Sequence, residues 1–172
     1  IDVAPPVINN PSQTFCASDE PTVADLQASG IVNSGSSIEW YALESDNTPL
    51  NRTELLVHGS TYWAAVLDST TGCTSSVRVS VNVVLTDPGT PILDAQGNEF
   101  CIINNPTLAD LDSNISSTNS GTITWYDAYP NGSVLSLSQF LIDGETYYAV
   151  ETDSNGCSSI NPLAVTVDLY AC

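Results

Sequence analysis

The chain contains the same series of short motifs twice, and this internal repeat constrains its fold more than any other feature. The hexapeptide PTVADL at residues 21–26 returns as PTLADL at residues 106–111, which is 85 positions later. The same offset relates three further motifs, namely Phe15-Cys16 to Phe100-Cys101, Trp40-Tyr41 to Trp125-Tyr126, and Gly59 to Gly144. A repeat of this length fits a small independent domain. The sequence therefore predicts two domains, residues 1–85 and residues 86–172.

Each repeat consists of short runs of β-branched and aromatic residues, separated by Gly, Asn, Asp and Ser. This pattern is typical of an all-β sandwich. The clearest strand contains Val77, Val79, Val81 and Val83, which alternate with polar residues, so one face is expected to be buried and the other exposed. Strands are predicted near 5–9, 37–43, 53–57, 60–67 and 76–85, and near 91–94, 122–128, 138–142, 145–152 and 162–169.

The repeated hexapeptide fits two local structures. Thr22 is followed three residues later by Asp25, which is typical of a capped helical turn, although a strand is the alternative. In either structure, Val23 and Leu26 are expected to close one end of the core. Asp25 and its counterpart Asp110 are therefore interpreted as structural residues rather than catalytic carboxylates.

The chain is strongly acidic, with 20 acidic residues, two basic residues and a formal net charge of −18. This charge would repel phosphate backbones and anionic lipids, so no nucleic-acid partner is expected. No run of 18 apolar residues occurs, so direct membrane insertion is not expected either. The chain begins without Met and without a charged and apolar leader, which suggests an internal piece of a larger protein.

The five cysteines are predicted to form disulfides. Cys16 and Cys73 in the first repeat match Cys101 and Cys157 in the second, and Cys172 is left over. No C-x-x-C motif or Cys/His group with zinc spacing is present. The matched positions predict the bonds Cys16–Cys73 and Cys101–Cys157, each joining the end of the first strand to the last hairpin. Disulfides indicate an oxidising compartment.

Catalytic residues are not apparent in the sequence. The single histidine, His58, corresponds to Asp143 in the second repeat, and both lie in the turn before a glycine. No Gly-x-Ser-x-Gly motif is present. An enzyme needs a positioned base or nucleophile, and these two side chains are more typical of turn residues. The sequence therefore predicts a protein that is not an enzyme.

Two acidic turns are the candidate metal site. Asp68 begins the turn DSTTG and Asp153 begins the turn DSNG, so each turn can present carboxylate and carbonyl oxygens to calcium. Aspartate also starts ordinary turns by accepting hydrogen bonds from its own backbone. The ordinary turn is the favoured interpretation. Calcium is retained as an alternative, and no other cofactor is expected.

Aromatic residues supply the candidate ligand site. Alternation along the strand around Trp40 places Trp40 in the core and Tyr41 on the outer face. If Tyr62 points inward, Trp63 lies on the outer face of a neighbouring strand. The candidate ligand-binding residues are Tyr41, Trp63, Tyr126 and Tyr148. Such pairs can stack on a sugar ring, or they can act only as cross-strand pairs that stabilise the sheet.

The order FC, PTVADL, IEWY, G-x-TYW and GC, followed by a valine-alternating strand, resembles Ig-like repeats of Bacteroidetes, especially flavobacteria. These repeats occur in tandem in large secreted and cell-surface proteins, and the resemblance covers both repeats here. It implies an all-β fold of two tandem Ig-like β-sandwich domains, each with a disulfide within the domain. It also implies an extracellular location on the bacterial cell surface, with export by type IX secretion.

The resemblance implies two functions. The first is a non-enzymatic stalk or adhesion segment of a large cell-surface adhesin associated with gliding motility. The alternative is a spacer or carbohydrate-binding module of a secreted polysaccharide-degrading enzyme. The expected partners are neighbouring repeats of the same chain and a surface polysaccharide or another cell surface. The short, proline-containing linker at residues 85–91 is expected to hold the two copies end to end.

Overall fold

The computed structural model describes residues 3–30 and 35–172. The chain divides into two compact units, Ile1–Thr86 and Asp87–Cys172, and this division falls one residue from the boundary between the sequence repeats. Each unit is built mainly from strands, with short 3₁₀ turns and one five-residue α-helix in the second unit. The all-β prediction is therefore confirmed. No helix within the described ranges is long and apolar enough to cross a membrane.

Unit one contains one main sheet. Its strands are β1 (Ser12–Cys16), β2 (Ser36–Tyr41), β3 (Thr61–Asp68), β4 (Cys73–Thr74) and β5 (Val79–Thr86). They lie in the order β1-β5-β3-β2, and β4 forms a hairpin with β3. β1 is parallel to β5, whereas the other pairs are antiparallel. The first and last strands of the unit therefore lie side by side and run in the same direction.

The inner face of this sheet forms the core of unit one. The buried strand residues are Ile38, Trp40, Tyr62, Ala64, Val66, Val81 and Val83. Val23, Leu26 and Leu56 pack against them from outside the sheet. Burial of each large apolar side chain contributes about 1.5–3 kcal/mol. Val81 and Val83 are thus confirmed as core, whereas Val79 is only partly buried and Val77, which lies before β5, is exposed.

Unit two repeats this arrangement. Its elements are β6 (Ile92–Leu93), β7 (Glu99–Cys101), α1 (Leu108–Asp112), β8 (Ile115–Ser116), β9 (Thr122–Tyr126), β10 (Thr146–Thr152), β11 (Leu163–Thr166) and β12 (Asp168–Tyr170). β11, β10 and β9 form an antiparallel sheet, β7 is parallel to β12, and β6 pairs with β8. The buried core residues are Leu108, Leu111, Trp125, Leu141, Tyr147, Ala149, Val165 and Val167.

The repeated hexapeptide is helical in both units, so the strand alternative is wrong. In unit one the N–H and hydroxyl of Thr22 donate to Asp25 Oδ2 at 2.7 and 2.9 Å, and residues Val23–Asp25 form a 3₁₀ turn. Thr107 and Asp110 form the same capping box before α1. The hydrogen bonds from each threonine hold the pKa of its aspartate below the usual value. The apolar residues of both turns are buried, as predicted.

The sequence missed β1 in unit one and the equivalent strand β7 in unit two, whereas the predicted strand near 91–94 corresponds to β6. The predicted strands near 5–9, 53–57 and 138–142 contain only isolated bridges. Gln13 explains why β1 was not predicted, because it is a buried polar residue at an inward position of the strand. Its Nε2 donates to the Gln27 carbonyl at 2.6 Å, and its Oε1 accepts from the Gln27 N–H at 2.9 Å. The side-chain amide therefore replaces a backbone partner, which hydrophobic alternation does not reveal.

The predicted disulfide pairing is wrong. Cys101 is bonded to Cys172, and Cys73 is an exposed free thiol. The bonds Cys16–Cys73 and Cys101–Cys157 are therefore excluded, although neither Cys16 nor Cys157 is a free thiol.

The direction of the first strand explains this correction. Because β1 is parallel to β5, Cys16 lies opposite Thr86 at the end of β5. Cys73 lies opposite Asp68, next to the hairpin from which β5 begins. Eight residues of strand separate these ends by about 25 Å. A disulfide requires Cα atoms about 5.5–6 Å apart.

Parallel pairing also explains the observed bond in unit two. Tyr170 lies opposite Cys101 in the ladder between β12 and β7, and Cys172 follows two residues later. The Cα atoms of Cys101 and Cys172 are 5.8 Å apart. The bond therefore joins the end of β7 to the residues that follow β12.

Candidate functional site

The outer face of the sheet in unit one carries the first predicted aromatic pair. Tyr41 on β2 lies directly opposite Trp63 on β3. The Arg78 guanidinium lies 3.6 Å from the centroid of the Tyr41 ring and donates to the carbonyl oxygens of Leu43 and Asp46. Tyr41 is only 4% exposed as a result. This cation–π contact contributes about 0.5–2 kcal/mol, and it makes Tyr41 a part of the sheet rather than a surface for ligands.

Trp63 has a different environment from the other two tryptophans. Trp40 and Trp125 are buried, whereas Trp63 is half-buried and borders an open groove of about 380 Å³. The groove is lined by Ala42, Leu43, Ser60, Thr61, Tyr62 and Trp63. The Tyr62 hydroxyl is already used, because it accepts a 3.0 Å hydrogen bond from the Val57 N–H. We name these six lining residues the Trp63 groove.

Unit two carries the second predicted pair without the arginine. Tyr126 and Tyr148 lie opposite each other on β9 and β10, and both are half-buried. From Cys73 and Cys157 onward the offset between the repeats is 84 residues, so Pro162 occupies the position that corresponds to Arg78. Tyr129, from the loop after β9, donates its hydroxyl to the Ile160 carbonyl at 3.3 Å. The predicted cross-strand geometry is present in both units, and in unit one the pair includes a tryptophan that borders a groove.

The two acidic turns use their carboxylates internally. Asp68 Oδ1 accepts from the Thr70 N–H at 2.9 Å, and this bond lowers the Asp68 pKa. Asp153 Oδ1 accepts from the N–H groups of Asn155 and Cys157 at 2.8 and 2.9 Å. Across residues 3–30 and 35–172, no three His, Cys, Asp or Glu side chains are grouped to hold a metal. The geometry supports the ordinary turn interpretation, and calcium binding remains a hypothesis.

His58 and Asp143 perform the same structural task in the two units. His58 Nδ1 accepts a hydrogen bond from the Leu85 N–H at 3.0 Å. Asp143 Oδ1 accepts the corresponding bond from the Leu169 N–H at 2.9 Å. Each side chain ties the turn before the central strand to the last strand. This supports the interpretation of both as turn residues.

Glu151 is an important residue that the sequence analysis missed. It is fully buried on β10, where unit one has Val66. Its carboxylate accepts five hydrogen bonds from the loop before β9. The donors are the Ser117 hydroxyl at 2.5 Å, the Thr118 N–H and hydroxyl at 2.8 and 3.0 Å, the Asn119 N–H at 2.9 Å and the Gly121 N–H at 3.1 Å.

These hydrogen bonds decide the protonation state of Glu151. Burial alone raises the pKa of this carboxyl, but the bonds from the loop outweigh burial and lower the pKa to about 2. A buried anion therefore organises the loop. The signal was present in the sequence, because Glu151 shares the inward alternation of Tyr147 and Ala149.

Residues 4–86 match the family model described as "Ig-like domain CHU_C associated". This range corresponds to unit one, which is an Ig-like domain. No curated protein matches the chain. The Ig-like prediction is therefore confirmed for the first repeat.

Two solved multidomain structures are similar to the whole chain. One contains the N-terminal four Ig domains of Dscam1 isoform 6.44, with 14% identity, coverage of 99% of this chain and 47% of that chain, and a TM-score of 0.27. The other is Drosophila N-cadherin EC1-4, with 15% identity, coverage of 99% and 51%, and a TM-score of 0.29. The chain spans about half the length of these structures, and neither TM-score adds to the fold assignment.

Proposed function

We propose that the chain is a non-enzymatic segment of a large bacterial cell-surface adhesin, in which two tandem Ig-like repeats form a stalk with adhesive surfaces. One observation carries this proposal. The structural hydrogen bonds and core residues of unit one recur at equivalent positions in unit two. The polar side chains at these positions have structural roles, whereas an active site needs reactive side chains that are available to a substrate.

The matched framework extends through several elements. The capping boxes Thr22/Asp25 and Thr107/Asp110 occupy equivalent positions. The hydroxyl groups of Tyr62 and Tyr147 both accept from a backbone N–H five residues earlier, at 3.0 and 3.1 Å. Such a duplication is typical of repeat arrays that serve as spacers or extended surfaces.

The proposed location is the outside of a bacterial cell. The Cys101–Cys172 bond is typical of proteins in oxidising compartments. The family match of residues 4–86 supports the resemblance to Bacteroidetes repeats. The association with gliding motility and type IX secretion is part of the proposal and comes from that resemblance alone. The proposed partners are neighbouring repeats of the same chain and a polysaccharide or another cell surface.

Attachment of coated beads tests this function. Beads that carry the folded chain are expected to attach to bacterial or polysaccharide surfaces more than beads that carry heat-unfolded chain. The same chain is expected to release no reducing sugar ends from the polysaccharide. Release of sugar ends would contradict the non-enzymatic proposal, and equal attachment of folded and unfolded chain would contradict adhesion.

The alternative is a spacer or carbohydrate-binding module beside the catalytic domain of a secreted enzyme. The Trp63 groove is the observation that favours it, because an aromatic ring at a surface groove suits a sugar ring. The two proposals differ in the parent protein. Further copies of this repeat in the parent would support the adhesin, and a neighbouring catalytic domain would support the alternative.

A further inference from the structure

The Trp63 groove has the size and position of a small-ligand site. It lies where β2 ends and β3 begins, on the outer face of the sheet in unit one. Its volume of about 380 Å³ lies within the range of about 300–1,000 Å³ that is typical of small-molecule pockets. It is open to solvent along Thr61 and Leu43, and Leu43 is 60% exposed.

The aromatic wall of the groove is held in place by its neighbours. Trp63 lies between Tyr41 on β2 and Ser80 on β5. Tyr41 is fixed under Arg78, which also holds the loop after β2 through the carbonyl oxygens of Leu43 and Asp46. A rigid aromatic side chain loses little conformational entropy when a ligand binds. The groove is therefore preorganised on one side.

The residues that line the Trp63 groove favour a neutral ligand that carries hydroxyl groups. None of the six lining residues is charged, and Ala42, Leu43 and Trp63 supply apolar side chains. The Tyr62 ring points to the core, so Trp63 is the single aromatic platform of the groove. The hydroxyls of Ser60 and Thr61 make no hydrogen bond with any residue that the structure describes, so both are available to a ligand. A charged ligand would find no counter-charge in the groove, and the net charge of −18 disfavours anionic sugars further.

The same position in unit two lacks these properties. Tyr148 replaces Trp63, and Glu145 replaces Ser60. Thr146 replaces Thr61, but its hydroxyl is hydrogen-bonded to the Thr166 hydroxyl at 2.8 Å. The repeat therefore provides an internal control that shares the fold and differs in the groove.

We propose that the Trp63 groove binds one neutral pyranose ring of a polysaccharide, which stacks on Trp63 and exchanges hydrogen bonds with Ser60 and Thr61. This inference rests on the proposed binding of a polysaccharide, by an adhesin or by a carbohydrate-binding module, and assigns that function a site and a ligand class. One ring on one aromatic platform gives weak binding, with a dissociation constant on the order of 1 mM. Adhesion would then depend on many copies of the site acting together.

Fluorescence titration of the full chain tests the site. The probes are neutral methyl pyranosides and oligosaccharides of glucose, mannose, galactose and xylose. Since Trp40 and Trp125 are buried in the cores, a saturable change in tryptophan emission is expected to report Trp63. Backbone amide NMR of the labelled chain is expected to show shifts at residues 42–43 and 60–63.

Three variants test which residues contribute to sugar binding. Trp63→Ala is expected to weaken binding by about tenfold or more, measured by NMR because the fluorophore is lost. Thr61→Val changes one exposed hydroxyl, keeps the strand, and is expected to weaken binding several-fold. Tyr148→Ala in unit two is the matched control and is expected to leave the dissociation constant unchanged.

The outcomes separate this inference from the proposed function. No saturable signal with any neutral sugar, or equal binding by the wild-type, Trp63→Ala and Thr61→Val chains, would overturn the groove assignment. Attachment of beads that survives in Trp63→Ala would show that adhesion uses another surface. Sugar binding without bead attachment would instead contradict the adhesive function and leave the site standing.

Discussion

At the scale of single residues, Glu151 shows how one charge organises a loop in unit two. Five donors between Ser117 and Gly121 converge on its carboxylate, so the anion is stable although it is fully buried. Val66 at the same position in unit one shows that the fold does not require this charge. The loop of unit two has therefore become dependent on Glu151.

Glu151→Gln is expected to destabilise unit two by about 1–3 kcal/mol, because an amide cannot accept five hydrogen bonds. The folded-state pKa of about 2 lies below the model-peptide value of 4.5, so the charged form favours folding. This stabilisation is complete above pH 4.5 and is lost as the pH falls towards 2. Urea unfolding at pH 7 and pH 3 measures both effects.

Glu145→Gln is the control for this prediction, since Glu145 is exposed at the start of the same hairpin. It is expected to change stability by less than about 0.5 kcal/mol. If Glu151→Gln kept the full stability and the pH dependence of the native chain, the carboxylate would not be the anchor of the loop.

Gly121 lies in the loop that binds Glu151, and its N–H donates a hydrogen bond to the Glu151 carboxylate. A Cβ atom at this position would lie 2.5 Å from the Thr152 carbonyl oxygen and 2.7 Å from Glu151 Cγ. Gly121→Ala is therefore expected to destabilise unit two by about 1–3 kcal/mol. Gly156→Ser in an open turn meets no atom within 4 Å, although its positive φ adds a smaller strain. Thermal unfolding compares the two variants, and equal melting temperatures for Gly121→Ala and the native chain would contradict the close contact.

Residue-level reasoning from sequence succeeded where one side chain acts within its own segment. Thr22 and Asp25 indicated the helical turn as one of two alternatives, and Trp40 was correctly placed in the core. It failed where a polar side chain bonds to a distant backbone. Gln13 bonds to residue 27, and Glu151 bonds to a loop about 30 residues earlier, so local patterns contain no trace of either partner.

At the scale of elements, the direction of the first strand determines which cysteines meet. Matched positions in the two repeats suggested a bond from the first strand to the last hairpin. Because β1 is parallel to β5 and β7 is parallel to β12, the first strand instead ends beside the end of the last strand. Sequence spacing does not encode strand direction, so the pairing was predicted wrongly although the strands of both hairpins were found.

The corrected pairing predicts one reactive thiol in the folded chain. A maleimide reagent is expected to label Cys73 alone, and Cys73→Ser is expected to abolish labelling. Peptide mapping without reduction is expected to recover a fragment in which Cys101 is joined to Cys172. A fragment that joined Cys16 to Cys73 would instead support the pairing expected from the sequence.

The Cys101–Cys172 bond is also expected to stabilise unit two. It closes a loop with a sequence separation of 71 residues, for which chain entropy gives about 4 kcal/mol. Cys172→Ser is therefore expected to lower the free energy of unfolding of unit two by up to this amount, measured by urea denaturation. Cys73→Ser removes an exposed free thiol and serves as the control, with an expected change near zero. Equal stability of Cys172→Ser and native chains would show that the bond does not contribute.

At the scale of the whole molecule, the main feature of the chain is its duplication. The chain is proposed to build one Ig-like unit twice, with equivalent cores, capping boxes and turn bonds, and to vary only local features such as Glu151 and the Trp63 groove. Sequence repetition predicted this organisation, because a motif series that keeps an offset of 85 residues fixes the frame of the fold. It did not predict the groove beside Trp63, which forms where the end of β2 meets the start of β3.

The most direct test of duplication is to divide the chain between Thr86 and Asp87 and record amide NMR spectra of the two halves. We expect that residues 1–86 and residues 87–172 each give a dispersed spectrum and a cooperative thermal unfolding transition. A half that gave the narrow amide range of an unfolded chain would contradict the claim that each repeat is a complete folding unit.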